Sequence, residues 1–276
     1  MNRERPISII IPTVGRMNVL RPTLERLQEA IAGIEAEVIL VDDSKEHRVS
    51  EKEVAPFRLL RSGGIGAARA RNLGWRNAAY DLLLFLDDDI WIEASHLRKT
   101  LQLHRDQGSR AYNFFWVYPE ELMKLLPESV FGRYVLERKL YSNSHRLDFN
   151  PEQKSGMIKM DGLTSQYFSI DKTWIEKVGG YDRIPFAGIE DLMLYKKLHR
   201  EGVEVYLSLD DVVYQYEVNK MNSDSLVSRY RTGALTRRVA VRQGHVEFGV
   251  NFNLLQKLKG VFGRKLEPAL RMRERK

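Results

Sequence analysis

The chain has 276 residues, no cysteine and a net charge of +7. Its apolar and charged fractions are those of a globular protein with one sizeable α/β core and a small appendage at most, which excludes wholesale disorder. The lack of cysteine excludes disulfides and Cys-ligated zinc or iron–sulfur sites, and no apolar run is long enough for a signal-peptide core or a bilayer span, so the chain is expected to be made and kept inside the cell.

Charge is unevenly spread. From Lys220 to the end there are fourteen Lys/Arg against four Asp/Glu, so this segment carries +10 and the preceding part about −3. A basic segment favours anionic membrane surfaces, nucleic acid or an acidic partner, and a solvated helical face explains it equally well.

In chain order, residues 7–11 form a β-branched run suited to a strand buried on both faces. Leu20, Leu24, Leu27 and Ile31 then recur at helical spacing. Residues 38–41 are a second apolar run ending at Asp42-Asp43, and residues 57–60 a weaker third strand. Residues 64–78 read as a helix opened by glycines, and residues 82–86 as a fourth buried strand. Residues 95–107 predict a helix with Ser95 as N-cap. Residues 112–151, rich in aromatics and charges, read as a strand followed by helical or loop segments. Strand patterns return over 157–171, followed by a short helix at 172–178 that Gly179-Gly180 ends. A helix at 191–199, short strands at 203–207 and 212–216, and a helix at 223–243 complete the pattern, with a basic tail behind.

Strands alternating with helices predict an α/β fold with a largely parallel sheet, in which ligands bind beyond the carboxyl ends of the strands. The polar clusters fall at those ends. Pro12-Thr13 follows the first strand, Asp42-Asp43 the second and Asp87-Asp88-Asp89 the fourth. Crowded carboxylates repel one another, and a bound divalent cation relieves that repulsion; hard oxygen ligands suit Mg2+ or Mn2+. A solvated acidic turn is the plain alternative for the triplet, as an acidic helix start is for Glu190-Asp191.

Five motifs in order then resemble the inverting glycosyltransferases of family two, which have the GT-A fold. They are Ile7-Ser8-Ile9-Ile10-Ile11-Pro12-Thr13 with Gly15-Arg16; Val38-Ile39-Leu40-Val41-Asp42-Asp43-Ser44; Gly66-Ala67-Ala68-Arg69-Ala70-Arg71-Asn72-Leu73-Gly74; Phe85-Leu86-Asp87-Asp88-Asp89; and Gly179-Gly180-Tyr181-Asp182 with Gly188-Ile189-Glu190-Asp191. The resemblance runs from about Ile7 to Gly202. It implies a GT-A-like, mostly parallel Rossmann-like sheet flanked by helices, with a helical basic C-terminal extension. It also implies a catalytic domain over residues 1–219, its nucleotide-binding half about 1–110 and its acceptor half about 111–219, and an extension over 220–276.

The same resemblance assigns roles. Asp42 or Asp43 would accept a hydrogen bond from the nucleobase imide, Pro12 and Thr13 would line base and ribose, and Arg71 would approach the base or diphosphate. Arg16, Gly66 and Asp88 join the nucleotide-binding set. Asp87 would touch the ribose, Asp89 would hold Mg2+ or Mn2+, and Asp191 would be the catalytic base with Glu190 beside it or at the acceptor. Many relatives place a histidine on a late strand near the metal; the comparable Val213-Tyr214-Gln215-Tyr216-Glu217 has none. The six histidines, His47, His96, His104, His145, His199 and His245, lack metal-ligand spacing and are expected to be structural or on the surface. Trp116, Tyr118, Tyr141, Tyr167 and Phe168 are candidates for a sugar platform, with core packing the plainer reading.

The implied activity is metal-dependent, inverting, hexosyltransferase-like transfer from a nucleotide-diphosphate sugar, UDP-sugar favoured, to a carbohydrate or lipid-linked acceptor in bacterial-type polysaccharide or glycolipid synthesis. No nucleic-acid partner is expected. A cytoplasmic location is expected, at the inner membrane face if the basic tail contacts anionic lipid. A dehydrogenase would need its glycine loop after the first strand, whereas Gly63-Gly64-Ile65-Gly66 follows the third. A sugar-phosphate nucleotidyltransferase would carry a glycine-rich, Arg-containing loop there. A non-catalytic nucleotide- or membrane-binding protein is the third rival.

Overall fold

The computed structural model describes residues 5–46, 49–105, 109–143, 155–182, 188–218 and 222–242. In the first half the elements are β1 (Ile7–Thr13), α1 (Met17–Ala30), β2 (Ala36–Asp42), α2 (Glu51–Val54), β3 (Arg58–Arg61), α3 (Ala67–Arg76), β4 (Leu82–Leu86), β5 (Ile90–Trp91) and α4 (Ala94–Leu103). Then come β6 (Arg110–Val117), α5 (Glu120–Leu125), a 3-10 turn (Leu126–Glu128), α6 (Val130–Glu137), β7 (Met157–Met160), β8 (Tyr167–Asp171), α7 (Lys172–Lys177), α8 (Glu190–Arg200), β9 (Glu204–Gln215) and α9 (Ser223–Arg242).

All described strands join one sheet in the order β3-β2-β1-β4-β8-β6-β9-β5, with β7 on β9. β1, β2, β3 and β4 are mutually parallel. β8 runs antiparallel to β4 and β6, and β6 is parallel to β9, so the parallel character is concentrated in the first half of the chain. The fold is GT-A-like α/β, a mixed sheet with helices on both faces. β1, β2 and β4 are continuous apolar runs because they lie mid-sheet with a core on each face. Ile9, Leu40 and Leu84 point into one cluster, and Ile10, Ile39 and Phe85 into the other. α1 lays Leu20, Leu24 and Leu27 on the first cluster at helical spacing; truncating fully buried Leu20 or Leu27 to alanine would cost about 2–5 kcal/mol.

Several expectations change here. α4 starts one residue earlier than expected, and its N-cap is Glu93, not Ser95. A capping box with His96 satisfies the orphan N–H groups there. The two short strands read over 203–216 are one strand, β9, whose register against β6 shifts between Phe114 and Phe115; the acidic Asp210-Asp211 pair at that irregularity breaks the apolar pattern. Trp116, Tyr118, Tyr167 and Phe168 are buried core and Tyr141 packs against it, so they form no exposed platform.

α9 returns to the body of the protein. Leu226 packs on the first core cluster, Ala240 packs with Ile189 and Met193, and Gly233 backs directly onto Gly188. Of the basic segment that begins at Lys220, Lys220 itself, the Arg229 side chain and residues 243–276 lie outside the described residues. Among the described residues no helix is long and apolar enough to cross a membrane.

Candidate active site

The order β3-β2-β1-β4 puts a topological switch beside β1, and parallel pairing aligns the carboxyl ends of these strands. Thr13 pairs with Asp42 in register, and the Asp43 amide donates to the Thr13 carbonyl at 2.7 Å. One strand over, the Thr13 hydroxyl donates to Asp88 Oδ2 at 2.7 Å. Three sequence-distant clusters therefore meet along one edge.

The two aspartates after β2 bind their own loops. Asp42 accepts from the Ser44 and Val49 amides at 2.9 and 3.0 Å and from Arg61 at 3.0 Å, and its side chain is buried. Asp43 accepts from the Ser62 hydroxyl at 2.6 Å and from the Ile65 and Gly66 amides at 2.7 and 2.8 Å. Gly66, the N-cap of α3, takes a φ of 97°, which aims its amide at Asp43 and which a side chain would strain. A carboxylate has about four acceptor sites, so Asp43 retains about one.

α3 carries Arg71 into the crevice. A Cβ at Gly74 would collide with Ile10, so glycine there lets α3 lie close against β1. Arg71 is buried, donates to Asp87 at 2.7 Å, and lies 3.8 Å from Glu190 Oε1 and 5.6 Å from the Tyr181 ring centroid. Its Nε has no hydrogen-bond partner among the described residues. Burial alone would lower its pKa, but Asp87, with Tyr181, Asp191 and Glu190, outweighs burial and moves it upward, so the cation is permanent.

The other wall is the N-terminus of α8. Asp191 accepts from the Ser165 amide at 3.1 Å and from the Ser165 hydroxyl. Glu190 Oε2 accepts from the Gly188 amide at 2.5 Å. Both lie in the first turn, where the helix dipole favours anions. Burial first, then the Asp191 charge, raises the Glu190 carboxyl above its ordinary range despite Arg71.

Sequence reasoning missed the residues that hold this wall. The Asn72 side chain donates to the Tyr181 carbonyl at 2.7 Å and accepts from the Tyr181 amide at 2.9 Å. The Tyr181 hydroxyl lies 2.6 Å from Ser165 Oγ, which contacts Asp191. Gly180, at a φ of 76°, leaves no room for a side chain beside Asn72. Asn72 thus links the α3 motif to the candidate base. Asn72 and Tyr181 stand inside the motifs, so a signal existed; Ser165 carried none.

Asp88 and Asp89 lie in the turn between β4 and β5, both buried. Arg16 donates to Asp88 Oδ1 at 2.5 Å and lies 3.6 Å from Asp89 Oδ2. Buried Glu217, just past β9, accepts from the Tyr118 hydroxyl at 2.9 Å. Among the described residues no group of three or more His, Cys, Asp or Glu is arranged to hold a metal ion. The triplet thus offers one or two hard carboxylates at a crevice edge. That fits an ion of the Mg2+ or Mn2+ type, which keeps waters and phosphate oxygens as its other ligands, and Asp89, with Asp88 beside it, would hold it.

The described histidines have structural contacts. His96 closes the α4 capping box, His104 lies 3.0 Å from Ser169 Oγ, and His199 stacks on Tyr195. His47, His145 and His245 lie outside the described residues. A separate hollow of about 200 Å3 lies between α1 and the start of α5, walled by Arg26, Trp91 and Tyr214; none of the site carboxylates lines it.

The family model described as Glycosyl transferase family 2 matches residues 8–150. An "Uncharacterized glycosyltransferase" of Haemophilus influenzae is 39% identical over 100 residues, 35% of this chain and 34% of the relative. The "Chondroitin synthase" of Pasteurella multocida is 26% identical over 236 residues, 73% of this chain and 24% of the relative. The chain therefore spans about a third or less of the length of these relatives. Among solved structures, GalNAc-T7 with UDP, GalNAc and Mn2+ superposes at a TM-score of 0.58 and 15% identity, covering 79% of this chain and 45% of that one. The mannosyltransferase PcManGT from Pyrobaculum calidifontis, in complex with GDP-Man and Mn2+, superposes at 0.54 and 14% identity, covering 98% and 83%. At such identities these two neighbours show the fold alone.

Proposed function

The chain belongs to glycosyl transferase family 2, and from that premise we propose that it transfers a sugar from a nucleotide-diphosphate donor to an acceptor hydroxyl with inversion. The observation that carries this reading is the buried Arg71. It stands between Asp87 on the nucleotide side and Glu190-Asp191 on the other, with an N–H lacking a hydrogen-bond partner among the described residues. A permanent cation in a crevice edged by carboxylates is suited to a diphosphate leaving group.

In this reading Thr13 and Pro12 line the base and ribose, and Asp87 meets the ribose hydroxyls. Each aspartate after β2 meets three donors, and Asp43, the more exposed of the two at 9% against 2%, takes the base imide. Mg2+ or Mn2+, when bound at Asp89, supplies Lewis-acid neutralisation of the diphosphate. Asp191 accepts the proton of the attacking hydroxyl. It stands in the first turn of α8, where the Ser165 amide and hydroxyl hold its carboxylate in place. Attack opposite the leaving group inverts the anomeric carbon without a covalent intermediate. Glu190, its carboxyl raised by burial, stays close to Arg71 or meets the acceptor.

UDP-sugar is the favoured donor by resemblance; the two structural neighbours carry UDP and GDP-Man, both with Mn2+. Residues 1–219 would be the catalytic domain, with donor binding over about 1–110 and acceptor binding over about 111–219. Residues 220–276 would be a basic extension meeting anionic membrane, which suits a lipid-linked or polysaccharide acceptor and a place at the cytoplasmic face. The test is Asp191→Asn. Nucleotide release from UDP-, GDP- and dTDP-sugars over an acceptor panel should fall by about 10^2–10^4-fold, while nucleotide affinity stays within about twofold. Unchanged transfer removes Asp191 from the role of base.

A further inference from the structure

We propose that Arg16 is a resident counter-cation of Asp88 and Asp89, which gives way when a divalent ion binds and turns to the donor diphosphate. This rests on the nucleotide-sugar reading above and adds a rule for the order of binding. Arg16 donates to Asp88 Oδ1 at 2.5 Å and stands 3.6 Å from Asp89 Oδ2. Asp88 Oδ2 already accepts from Thr13, so the Arg16 and Thr13 side chains flank this carboxylate.

A guanidinium this close to Asp89 sits where a dication at that carboxylate would feel it most. Like charges at such range repel strongly in a partly desolvated crevice. An ion arriving alone must displace Arg16 from Asp88 and Asp89 and strip it of most of its counter-charge. An ion arriving with a nucleoside diphosphate meets a different balance, because the diphosphate supplies anionic oxygens to both cations.

Arg16 is placed to make that exchange. It is the N-cap of α1, with non-helical φ and ψ of −75° and 76°, and its side chain is 24% exposed. The first turn of α1 has no acidic residue, so the helix end favours an incoming anion. Arg16 Nε has no hydrogen-bond partner among the described residues, so this guanidinium retains donor capacity. Burial would lower its pKa, but Asp88, Asp89 and Glu217 raise it overall where it stands.

The rule predicts effects of opposite sign from one substitution. Removing the resident cation tightens Mn2+ binding to the free protein and weakens binding of the nucleotide with Mn2+. A purely structural role for Arg16 would weaken both. The experiment titrates Mn2+ into the full chain, reading free Mn2+ by electron paramagnetic resonance, without nucleotide and with UDP or GDP. For Arg16→Met and Arg16→Gln, Mn2+ alone should bind about tenfold tighter than in the wild type, and nucleotide with Mn2+ about tenfold more weakly. Adding Asp89→Asn to Arg16→Met should abolish the gain, locating it at that carboxylate. If either variant, folded by its melting curve, binds Mn2+ alone no tighter than wild type while nucleotide still binds, the counter-cation role is overturned and the transferase reading stands. If wild type binds neither UDP nor GDP, with or without Mn2+, the transferase reading falls and this proposal with it.

Discussion

The carboxylates after β2 and those after β4 share one edge of one sheet, but opposite kinds of partner hold them. Asp42 and Asp43 are met chiefly by backbone amides, those of Ser44, Val49, Ile65 and Gly66, which pin two loops. Asp87 and Asp88 are met by the long side chains of Arg71 and Arg16. An amide fixed in a loop cannot leave without unfolding that loop, whereas a guanidinium on a long side chain can turn to a ligand. The first pair is mainly architecture, and the second is a charge arrangement that can be redistributed.

This contrast predicts crossed outcomes. Asp43→Asn would turn its amide NH2 either toward the Gly66 donor or toward the Ile65 and Ser62 donors, and cost about 2–3 kcal/mol of stability, lowering Tm by about 5 °C or more. Asp89→Asn leaves Arg16 its hydrogen bond to Asp88 and takes no acceptor from the loop amides around Asp42 and Asp43, so Tm should hold within about 2 °C. The metal-dependent part of nucleotide affinity should fall about tenfold or more. Thermal melts paired with calorimetry check both. Equal Tm losses would erase the distinction between the two sets.

A smaller effect sharpens the picture of the far wall. The Glu190 carboxyl is raised by burial and by Asp191. A raised acid contributes stability that is fully present below its ordinary value of 4.5 and is lost as pH rises through its folded value. Glu190→Gln cannot ionise, so its Tm should gain on the wild type as pH climbs from about 4.5 to neutrality. Parallel Tm curves across that range would show that Glu190 carries no such penalty.

Much of the frame was legible in the sequence. The runs at β1, β2 and β4 announce themselves because mid-sheet strands are apolar on both faces, and polar clusters at their ends mark the edge where ligands bind. What the sequence hid were pairings across distance. Nothing local shows that Arg71 meets Glu190, that Asn72 clamps Tyr181, or that Arg16 lies on Asp88. Local acid content also could not separate Asp43, held by loop amides, from Asp87, held by an arginine. The aromatics were ambiguous for a related reason. Trp116 on β6 and Tyr118 just past its end pack into the first core cluster, while Tyr167 and Phe168 alternate between the two clusters, and side-chain type alone does not say which faces are covered.

The claim at the centre is that Arg71, Arg16 and the β4 carboxylates form a nucleotide-diphosphate site. Calorimetric titration of the wild-type chain with UDP, GDP and NAD, each with and without Mn2+, tests it most directly. The account predicts that UDP or GDP binds and that Mn2+ tightens the binding by about tenfold or more, with no heat from NAD. Binding of NAD in place of UDP and GDP, or nucleotide binding indifferent to Mn2+, would contradict it.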